Sequence, residues 1–104
     1  LDGGIAEAAR CNVFLILDDI ACTPPVSAGA LPGVVRGWLL ENESDLVCER
    51  ELRPADLDRA TEAFVTSAVR GVQAVAAIDQ REFGKSHGIT DQLLARFRQS
   101  EVTS

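Results

Sequence analysis

The stretch NVFLILDDIACTPP, residues 12–25, constrains the fold more than any other part of this chain. Two apolar runs flank Asp18-Asp19, and Pro24-Pro25 stops the second. Apolar runs of strand length around a short polar turn predict a β-hairpin. The first run is nearly continuous rather than alternating, which predicts burial on both faces of the strand.

The rest of the chain is arranged around that hairpin. SAGALPGVVRG (27–37) concentrates small residues where a loop turns into a helix. The helix is expected to begin near Gly33 and run through VVRGWLLEN, with Val35, Trp38 and Leu39 on one face. Pro32 stands at or just before its first turn, where a missing N–H costs nothing. DLVCEREL (45–52) alternates, with Leu46, Cys48 and Arg50 opposite Val47, Glu49 and Glu51, and predicts a half-exposed strand. In RPADLDRATEAF (53–64), Pro54 and Asp56 start a short amphipathic helix that buries Leu57 and Ala60. EAFVTSAV and GVQAVAAID predict two strands around Arg70-Gly71, and QREFGKSHG a turn-rich loop. Thr90 is the expected cap of a last helix, DQLLARFRQSE, whose buried stripe is Leu93, Leu94 and Phe97. Ahead of the hairpin, GGIAEAAR reads as a turn and a short extended segment in which Ile5 and Glu7 share a face. Five or so short strands and three helices, not in strict alternation, make this an α+β chain.

Composition narrows the function classes. The 104 residues suffice for one domain at most, and 46% are hydrophobic, enough for a core. The net charge is −6, with 10 basic residues scattered among 16 acidic ones. That balance argues against binding a nucleic-acid backbone or an anionic membrane. No apolar run reaches the roughly 18–20 residues that span a bilayer, and no basic leader precedes an apolar stretch. Cys11, Cys22 and Cys48 are odd in number and form no CxxC pair. They read as reduced thiols of a cytoplasmic protein, used as small hydrophobes. With one His and dispersed cysteines, no metal centre is expected. The chain opens on Leu1 and contains no Met, so a missing first part is expected.

Three groups of residues could carry chemistry. Glu7 is either a solvated turn carboxylate or one that faces a cationic group in a pocket, oriented there by the amide of Asn12. The glycines around 29–36 make either an ordinary tight turn or an anion cradle. In the cradle, glycine permits close approach and a helix N-terminus offers free N–H groups. The stretch matches neither the GxxxxGK[ST] nor the GxGxxG phosphate motif. Thr66 and Ser67 are adjacent hydroxyls at the end of an apolar strand, either plain strand residues or donors to a phosphate or substrate oxygen. Ser67 cannot build a nucleophilic triad, because the single histidine, His87, lies in a polar loop.

The order of these pieces is E-x-x-x-x-N-V-F, then T-P-P-x-S-x-G-x-L-P-G-V-V-R, then E-A-F-V-T-S-x-x-R-G-V-Q-x-V-x-x-I-D. It resembles the C-terminal half of the class IV pyridoxal-phosphate enzymes: branched-chain and D-amino-acid aminotransferases and 4-amino-4-deoxychorismate lyases. The likeness extends over essentially the whole chain. It implies a C-terminal cofactor-binding domain over residues 1–104, with short strands in a mixed sheet or barrel-like core and about three helices. It implies pyridoxal 5′-phosphate as cofactor, a small-molecule amino substrate and a homodimer. By the same resemblance, the backbone N–H groups of Val34 and Val35 bind the cofactor phosphate and Gly33 admits it. Thr66 or Ser67 adds a hydroxyl. The family often has Thr where Val35 stands, and that hydroxyl is lost here, a departure that also fits a non-catalytic homologue used for dimerisation. Glu7 matches the carboxylate that keeps the pyridine nitrogen protonated, so that the ring acts as an electron sink. Asn12 matches a supporting position. The family's Schiff-base lysine lies before the matching glutamate, so the N-terminal domain and that lysine are expected upstream of this chain. Lys85, the only lysine, reads as a surface residue. TSAVRGVQAV looks more like the lyases than the branched-chain aminotransferases.

Overall fold

The computed structural model describes residues 11–26, 33–67, 71–78, 81–83 and 88–103. Strands β1 (Asn12–Leu17) and β2 (Ile20–Thr23) form the predicted antiparallel hairpin, with Leu17 opposite Ile20. Asp18 and Asp19 take φ of 52° and 65°. Positive φ at both turn residues is the type I′ geometry, whose twist matches that of the strands it joins. Aspartate is one of the few non-glycine residues that visits this region readily.

β1 is the middle strand of a five-stranded sheet ordered β3-β2-β1-β4-β5, where β3 is Val47–Glu49, β4 Glu62–Ser67 and β5 Gly71–Ala74. β2 and β3 are parallel and the other pairs antiparallel. The parallel pair is connected through helix α1 (Val34–Asn42), as parallel neighbours require a crossover. Every residue of β1 is buried because both faces of the sheet are covered. Phe14 and Ile16 face α1 and α3 (Gly88–Thr103), together with Val35, Leu39 and Leu93. Phe14 stacks on Phe64 across the β1–β4 pair, with ring centroids 4.6 Å apart. Val13, Leu15 and Leu17 face the other way, toward Leu57 and Ala60 of the α2 (Pro54–Arg59) segment and toward Ile78 and Phe83.

Three expectations need correction. GVQAVAAID is not one strand. β5 ends at Ala74, and Val75 adds one more bond, to the Ala63 carbonyl near the start of β4. The chain then pairs with itself, β6 (Ala77–Ile78) against β7 (Arg81–Glu82), and the start of the expected loop QREFGKSHG is strand. The strand expected over 45–52 is only the three residues of β3. Thr90 does not cap α3: it lies in the helix's first turn, and the carboxylate of Glu62 accepts the N–H groups of Ile89 and Thr90 at 3.1 and 2.9 Å. A buried carboxylate on the adjacent strand is a stronger acceptor than a hydroxyl on the helix itself. Gly71 has φ of 68°, which strains any other residue, and a Cβ there would also sit tightly, 3.1 Å from the Phe97 ring. Among the described residues no helix is long and apolar enough to cross a membrane.

Candidate functional site

The register of the central strands brings two of the expected site residues side by side. Asn12 pairs with Thr66 across β1 and β4, and Thr66 pairs with Val72 on its other side. Strand alternation puts Asn12 and Thr66 on the face that carries Phe14 and Phe64, under α1 and α3. Both are buried, and Thr66 is only 1% exposed. Its Oγ1 has no hydrogen-bond partner among the described residues. A hydroxyl left unsatisfied inside a protein costs about 1–3 kcal/mol.

Gly33 is the N-cap of α1. Its φ of −71° and ψ of 152° are extended and open to any residue, so conformational freedom is not why glycine stands there. A Cβ at this position would land on Asn12 Oδ1. The close approach expected at Gly33 is therefore already made by the chain's own Asn12. α1 has no side-chain cap and no acidic residue in its first turn. Its leading N–H groups, on Val34 and Val35, have no acceptor within the helix. Val35 is buried in the core and Val34 is 78% exposed, so each can offer a ligand at this end only its backbone.

Ser67 is the last residue of β4 and half-buried. Strand alternation sends it to the face opposite Thr66. Glu7, Lys85, His87 and residues 27–32 of the small-residue turn lie outside the described residues.

Arg36 belongs to the site's framework and was not singled out from sequence. It is buried, donates to the Pro24 carbonyl at 3.1 Å and pairs with the Glu49 carboxylate. It thereby ties the first turn of α1 to the ends of β2 and β3. The available signal was a charged residue inside an otherwise apolar helical run, which calls for an internal partner. Glu62 was missed as well: in sequence it is one acid among many. A cavity of about 380 Å³ lined by Arg50, Arg53, Asp56 and Arg59 lies beside α2, away from this site. Its Asp56 already accepts the Arg53 backbone N–H at 2.8 Å.

The arrangement can hold an anion. Among the described residues, the N-terminus of α1 has no side-chain or carboxylate cap, and it lies over a strand pair that presents a buried hydroxyl with no partner. The fold is α+β, a mixed sheet covered on both faces. Residues 1–78 match the family described as amino-transferase class IV, and the chain belongs to that family. It is 36% identical to branched-chain-amino-acid aminotransferase 6 of Arabidopsis thaliana over 77 residues, 71% of this chain and 22% of that protein. It is 28% identical to the aminodeoxychorismate lyase of Bacillus subtilis over 104 residues, 97% of this chain and 36% of that one. Among solved structures, a Legionella pneumophila protein provisionally named a 4-amino-4-deoxychorismate lyase superposes with a TM-score of 0.78 at 32% identity. That match covers 86% of this chain and 34% of the other. The chain thus spans about a fifth to a third of the length of these relatives.

Proposed function

We propose that this chain is the cofactor-phosphate-holding part of a pyridoxal-phosphate enzyme that splits 4-amino-4-deoxychorismate into 4-aminobenzoate and pyruvate, a reaction on the way to folate. The family is pyridoxal-phosphate-dependent. The observation that carries the reading is the buried Thr66 Oγ1, beside Asn12, together with the start of α1; neither that hydroxyl nor that helix start has a side-chain partner among the described residues. A phosphate monoester there would accept from the Val34 and Val35 N–H groups and from Thr66 Oγ1. Ser67 has a lesser part, because its place on the strand turns it away from Thr66. Asn12 buttresses Gly33 and fixes where α1 begins. Arg36 holds that first turn in place through Pro24 and Glu49.

When bound, the cofactor supplies an electron sink for a substrate carbanion. Glu7 is assigned the task of holding a proton on the ring nitrogen. The amine that binds the cofactor's aldehyde is assigned to an N-terminal domain upstream of this C-terminal one, and Lys85 takes no part. The working unit is a homodimer in the cytoplasm, acting on a small amino substrate.

The lyase is favoured over an aminotransferase because the Bacillus subtilis lyase aligns over 97% of this chain, against 71% for the Arabidopsis aminotransferase. The second reading, a class IV aminotransferase acting on branched-chain or D-amino acids, is favoured by the higher identity of that shorter match. The full-length protein decides between them. Given pyridoxal phosphate and 4-amino-4-deoxychorismate, it should release pyruvate and 4-aminobenzoate in equal amounts. Formation of glutamate from 2-oxoglutarate and leucine, without pyruvate, would select the aminotransferase. Equal affinity for pyridoxal and pyridoxal phosphate would remove the cradle. Borohydride reduction and mass mapping should find the cofactor on an upstream lysine, and an adduct on Lys85 would overturn the division of labour.

A further inference from the structure

Cys22 and Cys48 are separated by 26 positions in the chain, yet they are direct partners in the parallel β2–β3 pair. Their sulfurs are 3.7 Å apart, with the Cys48 thiol donating to Cys22 Sγ and the Cys22 thiol donating to the Ile20 carbonyl at 3.6 Å. Neighbouring strands are roughly 4.8 Å apart, inside the Cα separations of about 4.4–6.8 Å that a disulfide spans. At that strand spacing, side-chain rotation can bring the sulfurs from 3.7 Å toward the bonding distance of about 2.05 Å. The two thiols differ in access. Cys22 is buried in the core, whereas Cys48 is half-buried on β3, the edge strand. Burial pushes the Cys22 thiol up to about 11, the adjoining Cys48 thiol adds to the shift, and the Arg50 guanidinium opposes it. Cys48 is thus the thiol that solvent reaches and Cys22 the one waiting behind it.

We infer that Cys22 and Cys48 are a modification site, at which a peroxide converts the pair into a reversible cross-strand disulfide. The Cys48 sulfur attacks one peroxide oxygen and the O–O bond breaks. The leaving hydroxide takes up the thiol proton as water, and Cys48 becomes a sulfenic acid. The Cys22 sulfur then attacks Cys48 Sγ, the S–O bond breaks, and the departing hydroxide leaves as water with the Cys22 proton. Two thiols and one hydrogen peroxide give one disulfide and two waters. The sulfurs lose two electrons and the peroxide gains them. Arg50 beside Cys22 stabilises negative charge on that sulfur as its proton leaves. The bond would make the β2–β3 pair covalent just beneath the Arg36 anchor, because Cys48 adjoins Glu49 and Cys22 lies two residues before Pro24. It would also close a loop containing all of α1, which restricts the unfolded chain. The site is independent of which reaction the enzyme performs.

The test uses the full-length protein, reduced, freed of reductant and treated with stoichiometric hydrogen peroxide. Differential alkylation and peptide mapping should recover a linked Cys22–Cys48 peptide that dithiothreitol returns to two alkylated thiols, while Cys11 stays alkylatable throughout. In Cys22→Ser, dimedone should label Cys48, and this label should be absent from the wild type. Three results would overturn the inference: a disulfide to Cys11 instead, Cys48 proceeding to sulfinic acid with Cys22 still alkylatable, or both thiols unchanged at peroxide doses that oxidise a free-cysteine peptide. Should the variant fail to fold, the wild-type peptide map decides alone.

Discussion

The N-termini of α1 and α3 are two solutions to one problem. Both helices pack on the same face of the sheet, and each start meets polar residues on or beside β4. α3 begins over Glu62, whose two carboxylate oxygens take the N–H groups of Ile89 and Thr90. α1 begins over Asn12 and its strand partner Thr66, with no side-chain cap, no acid in the first turn and a hydroxyl that has no partner among the described residues. Glu62 and Thr66 share a face of one strand, four residues apart. The fold closes the start of α3 with its own anion, whereas among the described residues no carboxylate accepts the leading N–H groups of α1. On the proposed reading, the group that meets the leading N–H groups of α1 is the phosphate of a bound cofactor.

The largest effect should come from abolishing the closed end. Glu62→Ala removes two charge-assisted hydrogen bonds and should cost about 3 kcal/mol in urea unfolding of the full-length protein. Affinity for pyridoxal phosphate should hold. A matching loss of affinity would mean that the two ends are not separate. Next in size is the crowding at the open end. Gly33→Ala should destabilise the cofactor-free protein by about 2 kcal/mol, because the new methyl meets Asn12 Oδ1. Most of that cost should vanish in an Asn12→Ala background, and additive effects in the double-mutant cycle would show that Asn12 is not the obstacle.

Thr66→Val separates stability from binding. It deletes the unpartnered hydroxyl while keeping the shape, so stability should stay level or rise by up to about 1 kcal/mol. Pyridoxal phosphate should bind about tenfold more weakly, the equivalent of about 1.4 kcal/mol. Fluorescence titration against pyridoxal, which lacks the phosphate, would show no such loss. The smallest effect comes from giving α1 an anion of its own. Val34→Glu places a carboxylate in the first turn at an exposed position. The helix should gain about 0.5 kcal/mol, and the cofactor should bind a few-fold more weakly. Unchanged binding in this variant would indicate that the open end is not where the phosphate sits.

Within single elements, the chain is legible from its sequence. The hairpin of residues 12–23, the start of α1 after Gly33, the short α2 and the α+β class follow from turn chemistry and apolar period. Such signals operate over a few residues and need no partner. The candidate site was legible as components. Asn12, Gly33 and Thr66 could each be singled out, but nothing local shows that Asn12 and Thr66 are strand partners or that Gly33 rests on Asn12. Those facts belong to the β1–β4 register, which burial of both sheet faces decides. The same holds for Glu62, which becomes a helix cap only when α3 docks on β4, and for Arg36, which gains its acceptors only when β2 and β3 lie side by side. Cys22 and Cys48 look dispersed in the sequence, and the parallel crossover through α1 puts them in contact. Local order is written in neighbouring residues. A polar group's partner, inside a core, is settled only where strands distant in sequence come to lie together.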